Sequence, residues 1–221
     1  MKRQVSLEEI SDGRLYESND MARIDCGGCV GCHACCGNMG SSVILDPYDI
    51  MQLTVHLQCS FEMLIQSRKI ALNVVDGVIL PNLAMDENGG RCAFLNDAGR
   101  CLVHSFRPGI CRLFPLGRYY ESQSFKYFIQ VHECRYKNRG KMKIHKWLGV
   151  PNLKTYEKFV TDWHYFLNRV EAAVSNNADE SVAKQLNMYV LQTFYLTPYE
   201  AGERFYEQFY ERLDKAELIL R

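Results

Sequence analysis

Five of the ten cysteines in this chain lie within eleven residues, Cys26-Gly27-Gly28-Cys29-Val30-Gly31-Cys32-His33-Ala34-Cys35-Cys36. The residues between them are mostly glycine or other small residues, which cannot build a packed core but leave the backbone free to curl. A C-x2-C step aims two thiolates at a single metal ion. Here the step repeats, so several thiolates must converge on one small volume. The stretch reads as a metal-binding knot.

Ten cysteines in 221 residues could instead form a disulfide framework. The N-terminal Met1-Lys2-Arg3-Gln4-Val5-Ser6-Leu7-Glu8-Glu9 lacks the apolar segment of an export signal, so a cytosolic protein is expected, where disulfides rarely persist. At 47% hydrophobic residues the chain can build a core without staples. Adjacent Cys35 and Cys36 are awkward to pair in separate bridges but suit a polynuclear centre or two neighbouring sites. Metal ligation is therefore the better reading. With 26 basic and 26 acidic residues there is no basic surface for nucleic acid, and no apolar run reaches the length of a membrane span.

Along the chain, residues 1–20 form a polar arm of mixed charge. Val43-Ile44-Leu45 is a candidate strand. Asp46-Pro47-Tyr48-Asp49 starts a helix, with aspartate as cap and proline at the first helical position, and with Ile50, Leu53 and Leu57 facing inward. Ser60 caps a second helix carrying Met63 and Leu64. Val74-Val75-Asp76-Gly77-Val78-Ile79 signals a hairpin. Cys92 and Cys101 flank Asn96-Asp97-Ala98-Gly99, which places them near each other across another hairpin. Arg107-Pro108-Gly109-Ile110-Cys111-Arg112 turns into a short helix that Pro115 ends. Phe125 to Val131 reads as a strand, with Cys134 just beyond.

No cysteine follows Cys134. Leu153, Tyr156, Phe159, Val160, Trp163, Phe166, Leu167 and Val170 recur at helical spacing. Val182, Leu186, Tyr189, Val190 and Phe194 form a second helical stripe. Thr197-Pro198-Tyr199-Glu200 has the pattern of a capping box and would open a third helix through Phe205, Phe209, Leu213 and Ala216. These stripes are core, and their aromatic density could also receive a protein partner or substrate.

Each downstream cysteine has an arginine beside it, in Arg91-Cys92, Arg100-Cys101, Cys111-Arg112 and Cys134-Arg135, whereas residues 26–67 contain no lysine or arginine. Thiolates need nearby cations or donors to stay deprotonated, so the downstream segment is expected to fold over the knot and supply them. Cys26-x2-Cys29-x2-Cys32-x3-Cys36 has the spacing of a bacterial ferredoxin ligand run, although glycine follows the last cysteine where proline is usual. Thiolate sets serve zinc and iron–sulfur clusters alike. The radical-enzyme spacing, a strand–GxGxxG–helix and a phosphate loop are all absent. The C-x-x-C pairs lack the βαβ context of a thioredoxin motif. His33 and His104 are supporting or surface histidines, and Cys59 is a buried core residue within a helix.

Cys29-x2-Cys32-x2-Cys35-Cys36, the Asp46-Pro47-Tyr48-Asp49-Ile50 helix start, Cys92-Ala93-Phe94-Leu95 with Cys101, and Arg107-Pro108-x2-Cys111-Arg112-x-Phe114-Pro115 together resemble the YkgJ-type cysteine cluster family, a zinc- or iron-chelating domain with a CxxCxxCC motif. The resemblance spans roughly residues 26–134. It implies a domain holding metal through Cys29, Cys32, Cys35, Cys36, Cys92, Cys101 and Cys111, with Cys134 completing eight. Cys26 lies upstream of the motif and competes with Cys35 or Cys36 for a place among the ligands. Some larger relatives are flagellin lysine N-methylases, which gives an enzyme reading a family basis.

The expected fold is α+β. A small cysteine-rich domain (21–140) wraps around its metal site and packs on a C-terminal helical region (150–221). The leading expectation is an iron–sulfur cluster of the 4Fe-4S type, serving structure or electron transfer, with zinc as the alternative. An enzyme modifying a protein substrate and a zinc-stabilised interaction scaffold are the other functional alternatives.

Overall fold

The computed structural model describes residues 6–29, 32–86, 90–176 and 179–220. Its fold is α+β, as the sequence implies: the described residues form three two-stranded antiparallel sheets and short helices, among them α1 (Leu7–Ile10) and α5 (Ile144–Leu148), followed by three longer helices. Among the described residues, no helix is long and apolar enough to cross a membrane.

The first long helix, α2 (Pro47–Leu57), begins where Asp46 and Asp49 close a reciprocal capping box with Pro47 in the first turn. Ile50, Met51 and Leu53 are buried, but Leu57 is exposed, because the helix ends there and Gln58 turns left-handed. Ser60 caps α3 (Phe61–Gln66), whose Leu64 is buried while Met63 faces outward. Cys59 lies between these two helices, outside both, and is only half-buried.

The Asp76-Gly77 hairpin joins β2 (Ile70–Val75) to β3 (Val78–Leu83) in the register Val75↔Val78 to Ile70↔Leu83. Both turn residues have positive φ, 50° and 84°, the geometry that a two-residue hairpin turn requires. Val43-Ile44-Leu45 runs beside β3 through backbone bonds from Leu83 to Val43 and from Leu45 to Pro81. It forms only an isolated bridge at Ile44, not the expected strand.

The strand at Phe125 is β5 (Ser124–Ile129), and its partner is β4 (Leu116–Glu121). The third sheet was not legible in sequence. β1 (Met21–Asp25), in the stretch around the expected arm, pairs with β6 (Gly140–Lys143). It buries Ala22 and Ile24 against Leu116, Tyr127 and Ile144.

Of the C-terminal helices, α6 (Leu153–Asn176) buries the expected face at Tyr156, Phe159, Val160, Trp163, Phe166 and Val170. α7 (Glu180–Leu191) buries Val190 but exposes Val182, and it continues through a wider turn in which Phe194 is fully buried. The expected capping box at Thr197 does not form. The Thr197 hydroxyl and amide both donate to the Gln192 carbonyl, closing the preceding turn. The third helix, α8 (Glu203–Ile219), starts after Gly202 with no side-chain cap, and still buries Phe205, Phe209, Leu213 and Ala216. One buried cluster runs from Val43 to Ala216, joining α2, the hairpin of β2 and β3, Cys92, Phe94 and the C-terminal helices.

Asp49 links this core to the short helix α4 (Gly109–Leu113). It is buried, and its carboxylate accepts from the Gly109 amide at 2.7 Å and from the Asp46 amide at 3.2 Å. Burial, then the adjacent Asp46, pushes its pKa well above the usual carboxylate range, and burial lifts Asp46 to about 6. Leaving a buried amide unpaired costs roughly 1–3 kcal/mol. Asp49→Ala, which orphans both amides, is therefore expected to lower unfolding free energy by about 3 kcal/mol by denaturant titration. Asp49→Asn keeps an acceptor for Gly109 and should lose less than half of that. A raised native pKa contributes stability below about pH 4 that is lost as pH rises. The deficit of Asp49→Asn relative to wild type should therefore shrink as pH increases.

Candidate metal centre

β1 delivers the chain into Cys26, and two single turns, Gly27–Cys29 and Ala34–Cys36, fold the knot. Just past the first, the Cys32 amide donates to the Cys29 carbonyl, and in the second the Cys36 amide donates to the His33 carbonyl. Past Cys36 the chain zips against the segment before Cys92. The Cys92 amide donates to the Cys36 carbonyl at 2.8 Å, and the Asn38 amide to the Gly90 carbonyl at 2.7 Å. Gly90 has φ 62°, and a Cβ there would stand 2.6 Å from the Asn38 side-chain oxygen. Only glycine fits that crossing.

Cys92 and Cys101 approach each other across the expected hairpin, held by an isolated bridge at Leu95 and Cys101 and a bond from the Leu102 amide to the Phe94 carbonyl. Cys111 rides on α4, which Asp49 fixes at Gly109.

Two cavities result. The larger, about 250 Å³, is walled by Cys29, Cys32, Cys35, Cys36, Cys92, Cys101 and Cys111. The smaller, about 40 Å³, is walled by Cys26, Cys29, Cys32, Cys35 and Cys134. Seven of the eight expected ligands therefore face one space, and Cys134 faces the other. The ferredoxin-like run is also divided, because Cys36 borders only the larger cavity and Cys26 only the smaller. Cys59 borders neither. Among the described residues, no three cysteine, histidine, aspartate or glutamate side chains already converge in metal-binding geometry.

Burial pushes the Cys92, Cys101 and Cys111 thiols up, and neighbouring sulfurs push the same way. Cys29 is raised to about 12, by burial and then by its hydrogen bond to Cys26. Cys35 moves the other way, to about 7, because Cys36 donates to it, and Cys36 rises in consequence. A wall of thiols that resist ionising one by one suits a cation that deprotonates them together.

Two of the arginines next to the cysteines are engaged elsewhere. Arg91 donates to the Asn96 carbonyl, and Arg112 to the carbonyls of Leu148 and Ser105. Arg107 is the cation whose field opposes the rise at Cys29 and Cys101 and helps lower Cys35, and Lys69 opposes the rise at Cys92. The Arg107 guanidinium donates from Nη1 to His104 Nε2 at 2.8 Å. Its buried Nε, at the wall of the larger cavity, has no hydrogen-bond partner among the described residues. His104, whose pKa is lowered by partial desolvation and the surrounding arginines, and His33 also border this cavity on its solvent side. Seven thiols and an orphaned donor around one cavity fit a sulfur-rich anionic centre.

A family model, CxxCxxCC, described as "Putative zinc- or iron-chelating domain", matches residues 28–139. No curated protein and no solved structure gives a match.

Loss of a group supporting metal ligands typically costs 10–100-fold in metal affinity. Arg107→Gln is expected to weaken metal retention by roughly that factor in chelator competition. Arg91→Gln, whose charge is spent on a carbonyl, should stay within about threefold of wild type, an effect below 1 kcal/mol. Equal losses in the two variants would contradict the assignment of the cation to Arg107.

Proposed function

The chain belongs to the CxxCxxCC family of zinc- or iron-chelating domains, and we propose that it is an iron–sulfur protein whose cluster occupies the larger cavity and carries single electrons. The observation that carries this reading is the size of a cavity walled by so many thiols. A zinc ion bound at about 2.3 Å to four sulfurs holds those sulfurs within about 4 Å of one another and needs no further room. The cavity measures about 250 Å³, where roughly 10–15 Å³ already admits a water molecule. A polynuclear cluster uses that space.

Cys36, Cys92, Cys101 and Cys111, which border this cavity alone, are the proposed ligands. When bound, the cluster supplies one-electron chemistry. The protein holds it between apolar walls that include Val43, Phe94 and Val103, which keep water from the sulfurs. Arg107 offers a donor and a positive charge that favour the reduced, more negative state. Exposed Cys32, His33 and Arg100 stand at the rim, a short path to a redox partner.

Protein purified without oxygen should be brown, with about four iron and four sulfide per chain, as expected for one cubane cluster. Its visible absorbance should bleach reversibly with dithionite. Colourless protein containing zinc and no sulfide would overturn the reading, and a coloured cluster inert to reductant would leave iron–sulfur binding but remove electron transfer.

A further inference from the structure

Cys26 lies outside the matched family segment, and with Cys134 it borders only the smaller cavity. We propose that Cys26, Cys29, Cys32 and Cys134 form a second, separate thiolate site that binds a single zinc-class divalent ion. The proposal does not depend on the iron–sulfur reading, because these four thiols leave Cys36, Cys92, Cys101 and Cys111 for the larger cavity.

A long-range pairing brings Cys26 and Cys134 beside Cys29 and Cys32, the first two cysteines of the CxxCxxCC run. β1 ends at Asp25, which pairs with Gly140 at the start of β6. Cys26 follows directly, and Cys134 lies six residues before Gly140. The chain entering Cys134 is tied down on the other side by the Gln130 amide donating to the Pro115 carbonyl at 2.9 Å and the Val131 amide donating to the Ile10 carbonyl at 3.1 Å. Pro115 and Phe114 then form the apolar floor of the cavity.

Cys26 Sγ and Cys29 Sγ already stand 3.2 Å apart, close to the sulfur–sulfur spacing of about 4 Å around a tetrahedral zinc. Cys26 is buried, so its sulfur is directed inward rather than left as a surface thiol. Cys32 is the fourth ligand in preference to Cys35, because Cys35 is already hydrogen-bonded to the Cys36 thiol, which borders only the larger cavity. Binding replaces four S–H bonds with four metal–sulfur bonds and releases four protons to solvent. The product carries about two negative charges by formal counting, and the Arg135 side chain borders the cavity to offset them.

Size separates the two sites. The smaller cavity, about 40 Å³, has room for one ion and no cluster, whereas the larger is several times roomier.

Metal and sulfide per chain, measured on the full-length holoprotein and on Cys26→Ser/Cys134→Ser, test the proposal. Wild type should hold one divalent ion beyond the main centre. The double variant should lose that one ion, with iron, sulfide and visible spectrum unchanged. Cys101→Ser/Cys111→Ser should show the converse, losing the main centre and keeping the single ion. If the Cys26→Ser/Cys134→Ser chain does not fold, native mass spectrometry of the wild-type holoprotein decides. A mass equal to the main centre plus one ion supports the site, and the main centre alone overturns it.

The proposal also fails if the folded double variant keeps all its metal or loses the main centre with it. It fails too if peptide mapping of reduced-buffer preparations finds Cys26 and Cys29 joined as a disulfide. Were wild type to contain two zinc and no sulfide, the iron–sulfur reading would fall. Loss of one zinc in the double variant would then still establish the second site.

Discussion

Clustered, largely buried thiols, most of which resist ionising singly, are the constraint on which the cysteine half of the molecule depends. Burial raises Cys29, Cys92, Cys101 and Cys111, and each thiolate formed would raise its neighbours further. Hydrophobic packing does not explain why the chain brings them together, since among the described residues of 26–42 the one buried hydrophobic side chain is Cys26. A shared metal cation resolves the conflict, because it is worth far more to several converging sulfurs than to any one of them.

The rest of the fold positions sulfur. The zip between Cys36 and Cys92 and the Cys92–Cys101 hairpin set one wall of the larger cavity. The buried Asp49 carboxylate sets another by holding the amide that begins the Cys111 helix. The Asp46–Asp49 capping box thus serves twice, starting α2 and anchoring α4. The C-terminal helices back this arrangement with an aromatic core, in which Phe159 packs edge-on against Phe205 and Phe209 at 5.3 and 4.6 Å between ring centres. Edge-to-face pairs of this kind hold a definite geometry, which gives the loops a rigid support.

Features governed by local chemistry were legible in the sequence. The Asp46 cap, the Asp-Gly hairpin, the Cys92–Cys101 turn and the Pro115 stop each depend on residues a few positions apart, and each forms. The pairing of Met21 with Lys143 joins two short, charged strands with no periodic signal, and only tertiary contact reveals it. Thr197 illustrates a local rule overruled from a distance. Arg212, on α8, donates to the carbonyls of Thr193, Thr197 and Pro198 and lies 3.7 Å from the Tyr199 ring centre, so the capping-box residues are held as a loop. That the two cysteine groups come together was legible, but their division between two cavities was not, because spacing shows which thiols are close in sequence and not which side of the turn each faces. For the same reason Arg107, which adjoins no cysteine in sequence, was not legible as a source of charge at the larger cavity.

Amide hydrogen exchange on the metal-loaded protein, before and after removal of metal by chelator under reducing conditions, tests the central claim most directly. If shared ligation holds the cysteine half together, amides in the segments around Cys36, Cys92 and Cys101 should lose protection by orders of magnitude on chelation. Amides in α6 and α8, held by their aromatic core, should change little. Unchanged protection at the Cys36–Cys92 zip with the metal removed would contradict the claim and show that packing alone assembles the thiols.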